Sequence, residues 1–365
     1  MHVTRLELRH LRRFEELRLD PAPGLNLITG DNGAGKTSVL EALHLMAYGR
    51  SFRGRVRDGL VRSGDPALEV FVEWRENPGG RVEAERTRRA GLRHSGQDWT
   101  GRLDGESVAQ LGDLCAALAV VTFEPGSHAL ITGGGESRRR FLDWGLFHVE
   151  QGFMPVWRRY ARALKQRNAL LKGRAPESQL DAWDRELADA GEPLARYREQ
   201  YLEELQPRFA ALLEDLAPAL GLSRLEYAPG WRRDELPLAD ALLLARSRDL
   251  LAGYTSVGPH RADWRIEFGA LPGREALSRG QAKLTALAAL LAQAGHHEAV
   301  HGEWPVVALD DLASELDRNH QARVLGRLDA SRAQVFVTGT EVPSGMPPEL
   351  PTTRFHVEQG RLTSL

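Results

Sequence analysis

Polar and apolar residues alternate from the start of the chain, and Val3-Thr-Arg-Leu-Glu-Leu-Arg9 reads as a strand. A continuous apolar run, Gly24-Leu-Asn-Leu-Ile-Thr29, suits a buried strand, and Ser38 to Met46 has the spacing of an amphipathic helix. Leu68–Trp74 and Arg81–Thr87 alternate with period two across Asn77-Pro-Gly-Gly80, which predicts a hairpin. Ala117–Phe123 reads as another buried strand. After Gly133-Gly-Gly135 the period lengthens to that of helices, from about Ser137 to Leu220, with one break at Gly173–Pro176. This predicts two long helical segments joined by a turn, with further helix over Leu236–Ala252. Thr255 onward is expected to return to the β-rich part, with a helix over Ala282–Gln293 and a short apolar strand ending at Leu309. The expected division is therefore 1–125, 126–252 and 253–365, the middle segment being an inserted helical lobe.

With 365 residues the chain can bury a substantial core and is expected to form two domains. Its 48 basic and 50 acidic residues give a net charge of −2, so any contact with nucleic acid must come from a local patch. Almost all cations are arginine; Lys36, Lys165, Lys172 and Lys283 are the four lysines. The single cysteine, Cys115, lies in an apolar stretch and reads as a small core residue, in keeping with a reducing cytosol. No signal peptide is visible, and the longest apolar stretch, around Leu284 to Ala294, is too short to span a bilayer. A soluble, cytoplasmic protein with no membrane partner is expected. No His/Cys cluster has zinc spacing.

Against this background Gly30-Asp31-Asn32-Gly33-Ala34-Gly35-Lys36-Thr37 carries the most chemistry, since it matches G-x-x-x-x-G-K-[ST] between a strand and a helix. Glycines let successive N–H groups turn inward around a polyphosphate at a helix N-terminus that itself favours anions. Lys36 is then placed for the β- and γ-phosphates of ATP, the Thr37 hydroxyl for Mg²⁺, and Ser38 continues the cradle.

Two further stretches fit the same chemistry. Trp304-Pro-Val-Val-Ala-Leu309 ends in Asp310 and Asp311, so the first acid can hold the Mg²⁺ hydration shell while the second faces the attacking water. Ordinary capping of the following helix would give the same pattern. Ser278-Arg279-Gly280-Gln281 opens a helix with one hydroxyl and several N–H groups, suited either to an external phosphate or simply to capping.

In order, P-loop, Ser-x-Gly-Gln, Walker B acids and then Ser314-Glu-Leu-Asp317, the chain resembles the ABC-type ATPases. The resemblance implies an α/β fold: an ABC-type P-loop ATPase head, with a mixed sheet plus an antiparallel β layer, carrying the inserted α-helical lobe. It also implies that Ser278, Arg279, Gly280 and Gln281 complete the γ-phosphate site of a second copy, with Ser314 and Asp317 as the D-loop. Arginine at 279 departs from the commoner Ser-Gly-Gly-Gln, and Asp311 stands where glutamate is usual. The shorter acid implies slow hydrolysis, and Val335-Phe-Val-Thr338-Gly-Thr340 offers hydroxyls where a switch histidine is expected.

Five stretches narrow the resemblance to the RecF family of DNA recombination and repair ATPases. They are Leu11-Arg12-Arg13-Phe14 with the P-loop; Gly49-Arg-Ser-Phe-Arg53; Phe123-Glu-Pro125 with Arg138-Arg139-Arg140-Phe-Leu-Asp143; Thr255-Ser-Val-Gly-Pro-His-Arg-Ala-Asp263; and the Ser278 and Asp310 motifs. Ala262 stands where a second acid is common. The resemblance implies a weak Mg²⁺-dependent ATPase whose ATP-bound homodimer binds gapped, single- or double-stranded DNA. RecR and RecO are the implied partners in directing RecA onto gaps, and Arg12 joins the nucleotide site. Transport-type ATPase subunits and SMC-like structural heads are the competing readings; the long 278 − 37 = 241-residue interval between motifs disfavours the first. The shortness of the lobe disfavours the second, because a helix of about 40 residues reaches only about 60 Å. For DNA the candidates are Arg53, Arg55, Arg57, Arg138, Arg139 and Arg140, with Trp157–Arg162 in the lobe, each group being equally readable as a solvated or ion-paired face. His260 could equally be a loop histidine bound to backbone.

Overall fold

The computed structural model describes residues 1–53, 59–77, 85–173 and 176–365. The chain divides into two compact units: Met1–Ser127 with Gln293–Leu365, and His128–Ala292. The first unit begins with β1 (His2–Leu11), which turns through Arg12-Arg13 into β2 (Phe14–Leu19), pairing Leu11 with Phe14. Next come β3 (Leu25–Thr29), α1 (Lys36–Tyr48), β4 (Leu68–Glu76), β5 (Arg86–His94), β6 (Trp99–Leu103), β7 (Glu106–Ser107), α2 (Leu111–Ala117) and β8 (Val120–Phe123).

An antiparallel sheet has the order β2-β1-β4-β5-β6-β7. Its alternation points Val3, Leu6 and Leu8 of β1 and Val70, Val72 and Trp74 of β4 inward, while Arg9, Glu69 and Arg75 face water. The partner of β4 is β5, with Glu76 opposite Arg86, so the paired strand lies later than the expected Arg81–Thr87. Ala90 and Leu92 supply its buried face. Residues 81–84 fall outside the described residues.

The second unit contains α3 (Ala129–Thr132), α4 (Gly135–Val149), α5 (Phe153–Lys172), α6 (Asp181–Leu216), β9 (Ser223–Ala228), α7 (Leu238–Ala252) and β10 (Asp263–Phe268), with β9 and β10 paired antiparallel. Three long helices replace the two expected, because the chain also breaks at Glu150–Gly152. There the Glu150 carboxylate accepts the Gly152 N–H at 2.9 Å, and a Cβ at Gly152 would come within 2.4 Å of the Tyr197 hydroxyl. Residues 253–292 pack with this unit rather than with the head, against the expected division, since β10 pairs with β9 and contacts α4. α8 (Arg279–His301) carries the chain back to the first unit.

There the chain adds β11 (Val306–Leu309), α9 (Leu312–Glu315), α10 (Arg318–Ala330), β12 (Val335–Gly339), β13 (Thr352–Glu358) and β14 (Arg361–Ser364). The second sheet runs β14-β13-β3-β12-β11-β8, parallel from β13 to β8 with β14 as an antiparallel edge. α1 touches β1 and β4 of one sheet and β8 and β12 of the other, and every residue from Ser38 to Ala47 is buried. The expected amphipathic helix is thus a helix enclosed on all sides, which explains its nearly continuous apolar sequence.

Candidate nucleotide-binding site

The carboxyl ends of parallel strands are where open α/β sheets bind ligands, and there the first unit holds a cavity of about 710 Å³. Its lining includes Asn32, Gly33, Gly35, Lys36, Thr37 and Ser38 from the P-loop, and Asp310, Asp311 and Thr338 from the ends of β11 and β12. Two glycines are geometrically required. Gly30 has φ +147° and a Cβ there would meet the Val357 carbonyl at 2.2 Å; Gly35 has φ +118° and a Cβ would meet the Phe14 ring at 2.7 Å. Phe14, fully buried, is therefore the floor under the loop, which gives a reason for the Leu-Arg-Arg-Phe stretch.

Lys36 donates to the carbonyls of Gly30 at 2.7 Å and Asp31 at 2.9 Å, and burial lowers its pKa against the opposing fields of Asp311 and Asp310. Thr37 Oγ1 donates to Asp310 Oδ1 at 2.9 Å, and Thr338 Oγ1 donates to the same oxygen at 2.6 Å. Burial raises the Asp310 pKa despite these two bonds. A bound cation reverses that balance. Thr37 and Asp310 present hard oxygens to one side of the cavity, a donor set that suits Mg²⁺, which takes one or two protein oxygens and keeps phosphate and water for the rest. Asp311 sits at φ +51° with its N–H bonded to Thr338 Oγ1 at 2.9 Å. A non-glycine residue in this left-handed region is uncommon, and here the threonine holds it at a functional site.

Arg12 reaches the same cavity while its Nε and Nη2 bond the buried Glu41 at 3.0 and 2.7 Å; Ser51 Oγ also bonds Glu41. Arg53, a candidate for DNA in the sequence, lines this nucleotide cavity instead. Arg55 and Arg57 lie outside the described residues. Sequence reasoning missed Arg13, which donates to the Gly33 carbonyl at 2.8 Å, together with Phe52, Glu124 and Pro125 as lining residues; Thr338, read as a hydroxyl where a switch histidine is expected, lines the cavity as well. The Leu11–Phe14, Gly49–Arg53 and Phe123–Pro125 stretches, already singled out in the sequence, were the available signal for these residues.

The second unit holds the Ser-Arg-Gly-Gln stretch. Ser278 Oγ accepts the Gln281 N–H at 3.2 Å and Gln281 Oε1 accepts the Ser278 N–H at 2.9 Å, a capping box at the start of α8. Ser278, Arg279 and Gly280 are exposed. In the first unit Ser314 and Asp317 are exposed too, and Asp317 caps α10 by accepting from the N–H groups of Asn319 and His320.

Arg138 is a correction: it is buried, pairs with both oxygens of Asp263 at 2.6 and 2.9 Å and donates to the Gly133 carbonyl at 2.8 Å, so no guanidinium edge is left for DNA. Arg139 donates to the Ala262 carbonyl at 2.8 Å, and Arg140 pairs with Glu136 on the surface. His260 is backbone-bound through Nε2 to the Thr255 carbonyl at 2.9 Å and shares a 2.7 Å bond between Nδ1 and the Tyr160 hydroxyl. Burial pushes its pKa down to about 4. Cys115 is buried, and its thiol is pushed up to about 12 by burial. Among the described residues no helix is long and apolar enough to cross a membrane.

The model of the RecF/RecN/SMC N-terminal domain matches residues 2–345. A DNA replication and repair protein RecF of Stenotrophomonas maltophilia (strain R551-3) is 68% identical over 365 residues, covering 100% of both chains. Another of that name, from Thioalkalivibrio sulfidiphilus (strain HL-EbGR7), is 39% identical over 368 residues and 99% of each chain. Among solved structures, the recombination mediator protein RecF-ATPrS in the RecFOR pathway superposes with a TM-score of 0.86 at 25% identity, covering 100% of this chain and 98% of its own. The Smc head bound to the C-winged helix domain of ScpA, with a TM-score of 0.58 at 16% identity, shares the fold.

Proposed function

The chain belongs to the RecF family of DNA replication and repair proteins, and from that premise we propose that it is an ATPase whose ATP-bound homodimer engages DNA and whose slow hydrolysis times release. The observation that carries this is the single cavity that gathers Lys36, Thr37, Asp310 and Asp311 at the carboxyl edge of the parallel sheet. The loop N–H groups and Lys36 bind the β- and γ-phosphates of ATP, and Arg12 and Arg53 add cationic contacts. Thr37 and Asp310 hold Mg²⁺, which when bound neutralises charge developing on the phosphate oxygens. Asp311 orients the attacking water, its reach shortened relative to glutamate. Its backbone N–H, fixed by Thr338, keeps that carboxylate in place.

Exposed Ser278, Arg279 and Gly280, with Gln281, fit the γ-phosphate of a second copy, and the exposed Ser314 and Asp317 belong to the same composite interface. One structural relative is placed in the RecFOR pathway, which supports RecR and RecO as partners and gapped DNA as substrate, in the cytoplasm, with RecA as the protein directed there.

Mixing subunits tests the composite site. Ser278→Arg should retain nucleotide binding as a monomer yet lose ATP-induced dimerisation in sedimentation. Ser278→Asp, which preserves the helix cap but sets a carboxylate against the γ-phosphate, should behave alike. In heterodimers of Ser278→Arg with Lys36→Met, one site carries both lesions and the other none, so partial ATPase should return. No recovery in demonstrated heterodimers would overturn the shared site.

A further inference from the structure

In the first unit α1 ends at Gly49, whose N–H returns to the Leu45 carbonyl at 2.9 Å, and the chain then doubles back along the helix. Ser51 Oγ donates to Glu41 Oε1, on a side chain seven residues, or about 10 Å of helix, before the last residue of α1. The same serine oxygen accepts the Arg53 N–H at 2.9 Å, and the Phe52 ring meets His44 edge-on with ring centroids 5.1 Å apart. From the turn between β1 and β2, Arg12 lays Nε and Nη2 on the two oxygens of the same Glu41 carboxylate at 3.0 and 2.7 Å. The Arg12 backbone is left-handed, at φ +56°, an uncommon state for a non-glycine residue, and its N–H is held by the Leu60 carbonyl at 2.9 Å. One fully buried carboxylate therefore ties together two segments distant in the chain, and each carries a guanidinium into the lining of the nucleotide cavity. Arg53 acts on the acid side of that cavity: burial raises the Asp310 pKa, and the Arg53 charge opposes the rise.

We propose that Glu41 is a positioning residue for ATP hydrolysis: it clamps the Arg12 guanidinium directly and the Arg53 backbone through Ser51, and so sets where both cations meet the triphosphate. The inference rests on the nucleotide reading above and deepens it. The arrangement is specific to a glutamate carboxylate, which only accepts hydrogen bonds and here takes three donors, two N–H groups of Arg12 and the Ser51 hydroxyl. Glutamine at this position turns an NH₂ donor against those donors, so one limb of the clamp is released. Aspartate keeps the charge but is one methylene short of holding both limbs. Coulomb attraction alone gives the opposite expectation, because an acid removed beside a polyphosphate site raises the local positive potential and tightens anion binding. Positioning predicts weaker ATP binding in spite of the gained positive charge.

The test is equilibrium titration of the full-length protein with ATP and Mg²⁺, together with single-turnover hydrolysis. Glu41→Gln should bind ATP about fivefold or more weakly and hydrolyse it about tenfold more slowly, and Glu41→Asp should share the loss. Ser51→Ala leaves the Arg12 pair in place and should slow hydrolysis by releasing Arg53. Adding Arg53→Gln to it should then cost no more than Arg53→Gln alone, since the serine acts through that arginine. Unaltered thermal midpoints show that each variant is folded, and the Ser51 and Arg53 pair carries the test if the Glu41 variants unfold. Tighter or unchanged ATP binding in folded Glu41→Gln overturns the inference, as do additive losses for Ser51→Ala and Arg53→Gln. A wild-type chain that bound no ATP would overturn the nucleotide reading and this inference with it. Wild-type hydrolysis with indifferent Glu41 and Ser51 variants would sink this inference alone.

Discussion

Both units bury charge, and they use it differently. In the first, Asp310 is buried beside a cavity: burial raises its pKa, and Thr37 and Thr338 supply hydroxyls rather than a matching cation. In the second, buried guanidinium groups meet carboxylates directly, Arg138 with Asp263, Arg167 with Asp184 and Asp249, and Arg198 with both oxygens of Asp143 at 2.8 and 2.9 Å. Arg198 also reaches the Pro259 carbonyl at 2.6 Å, so Arg138 and Arg198 fasten the Gly258–Asp263 segment to α4 and α6, and Arg167 ties α5 to α6 and α7. A buried charge left short of counter-charge at a cavity awaits a ligand; one met by its counter-ion holds the fold.

The largest effect should come from Lys36→Met, which removes the ammonium of the P-loop from the cavity without touching a structural ion pair. ATP hydrolysis is expected to fall by about 10³-fold with a marked loss of nucleotide affinity, read by turnover and nucleotide titration. Lys36→Arg should keep weak binding but lose hydrolysis, because the planar guanidinium does not fit where a compact ammonium sat; normal turnover in that variant removes Lys36 from the mechanism.

Next in size is Arg167→Met, which leaves the fully buried Asp249 without a guanidinium, while Asp184 keeps its pair with Arg246 at 2.6 Å. Breaking such a pair costs about 3–5 kcal/mol, measurable as a shift in the urea midpoint. A cost under about 1 kcal/mol would erase the contrast between the units.

Asp311→Asn should slow hydrolysis by about 10²-fold while ATP stays bound and the dimer persists longer in sedimentation. Asp310→Asn should instead weaken Mg²⁺-dependent nucleotide binding. Equal losses of affinity in both variants would refute the division of labour between the adjacent acids.

Buried histidines extend the comparison to pH. Burial holds His44 and His297 of the first unit at about 3 and His260 of the second at about 4, all below the ordinary 6.5. The folded state keeps them neutral, so no proton is taken up differently above pH 6.5. As pH falls below 6.5 the unfolded chain binds protons that the folded chain refuses, and stability declines by about 1.4 kcal/mol per pH unit for each histidine. The decline from His260 ends near pH 4 and that from the other two near pH 3. His260→Asn should flatten the stability profile by about that slope between pH 6.5 and 4, and an unchanged slope would count against a neutral buried ring.

The smallest effect separates neighbours on one helix. Arg140→Gln, at an exposed pair with Glu136, should change stability by at most about 1 kcal/mol, whereas Arg138→Gln should cost several times more by leaving Asp263 unpaired. Similar values for the two would place Arg138 on the surface.

The local motifs were legible because their chemistry is written in consecutive residues. A P-loop needs its glycines, lysine and threonine side by side, and the strand before Asp310 needs four apolar residues in a row, so Gly30–Thr37 and Asp310-Asp311 could be read directly. The alternation of β1 and β4 likewise fixes which face is buried. Tertiary structure alone decided what depends on partners distant in the chain. Phe14 became the floor of the loop through Gly35, Thr338 reached Asp310 across 28 positions, and Arg138 met Asp263 across 125. A run of three arginines carries the same local signal whether it faces water or a carboxylate, because a charge run is defined along the chain and its partner is set by packing. For the same reason the Ser278 motif predicted a helix start correctly, while its capping box with Gln281 became visible only when the side-chain directions were fixed.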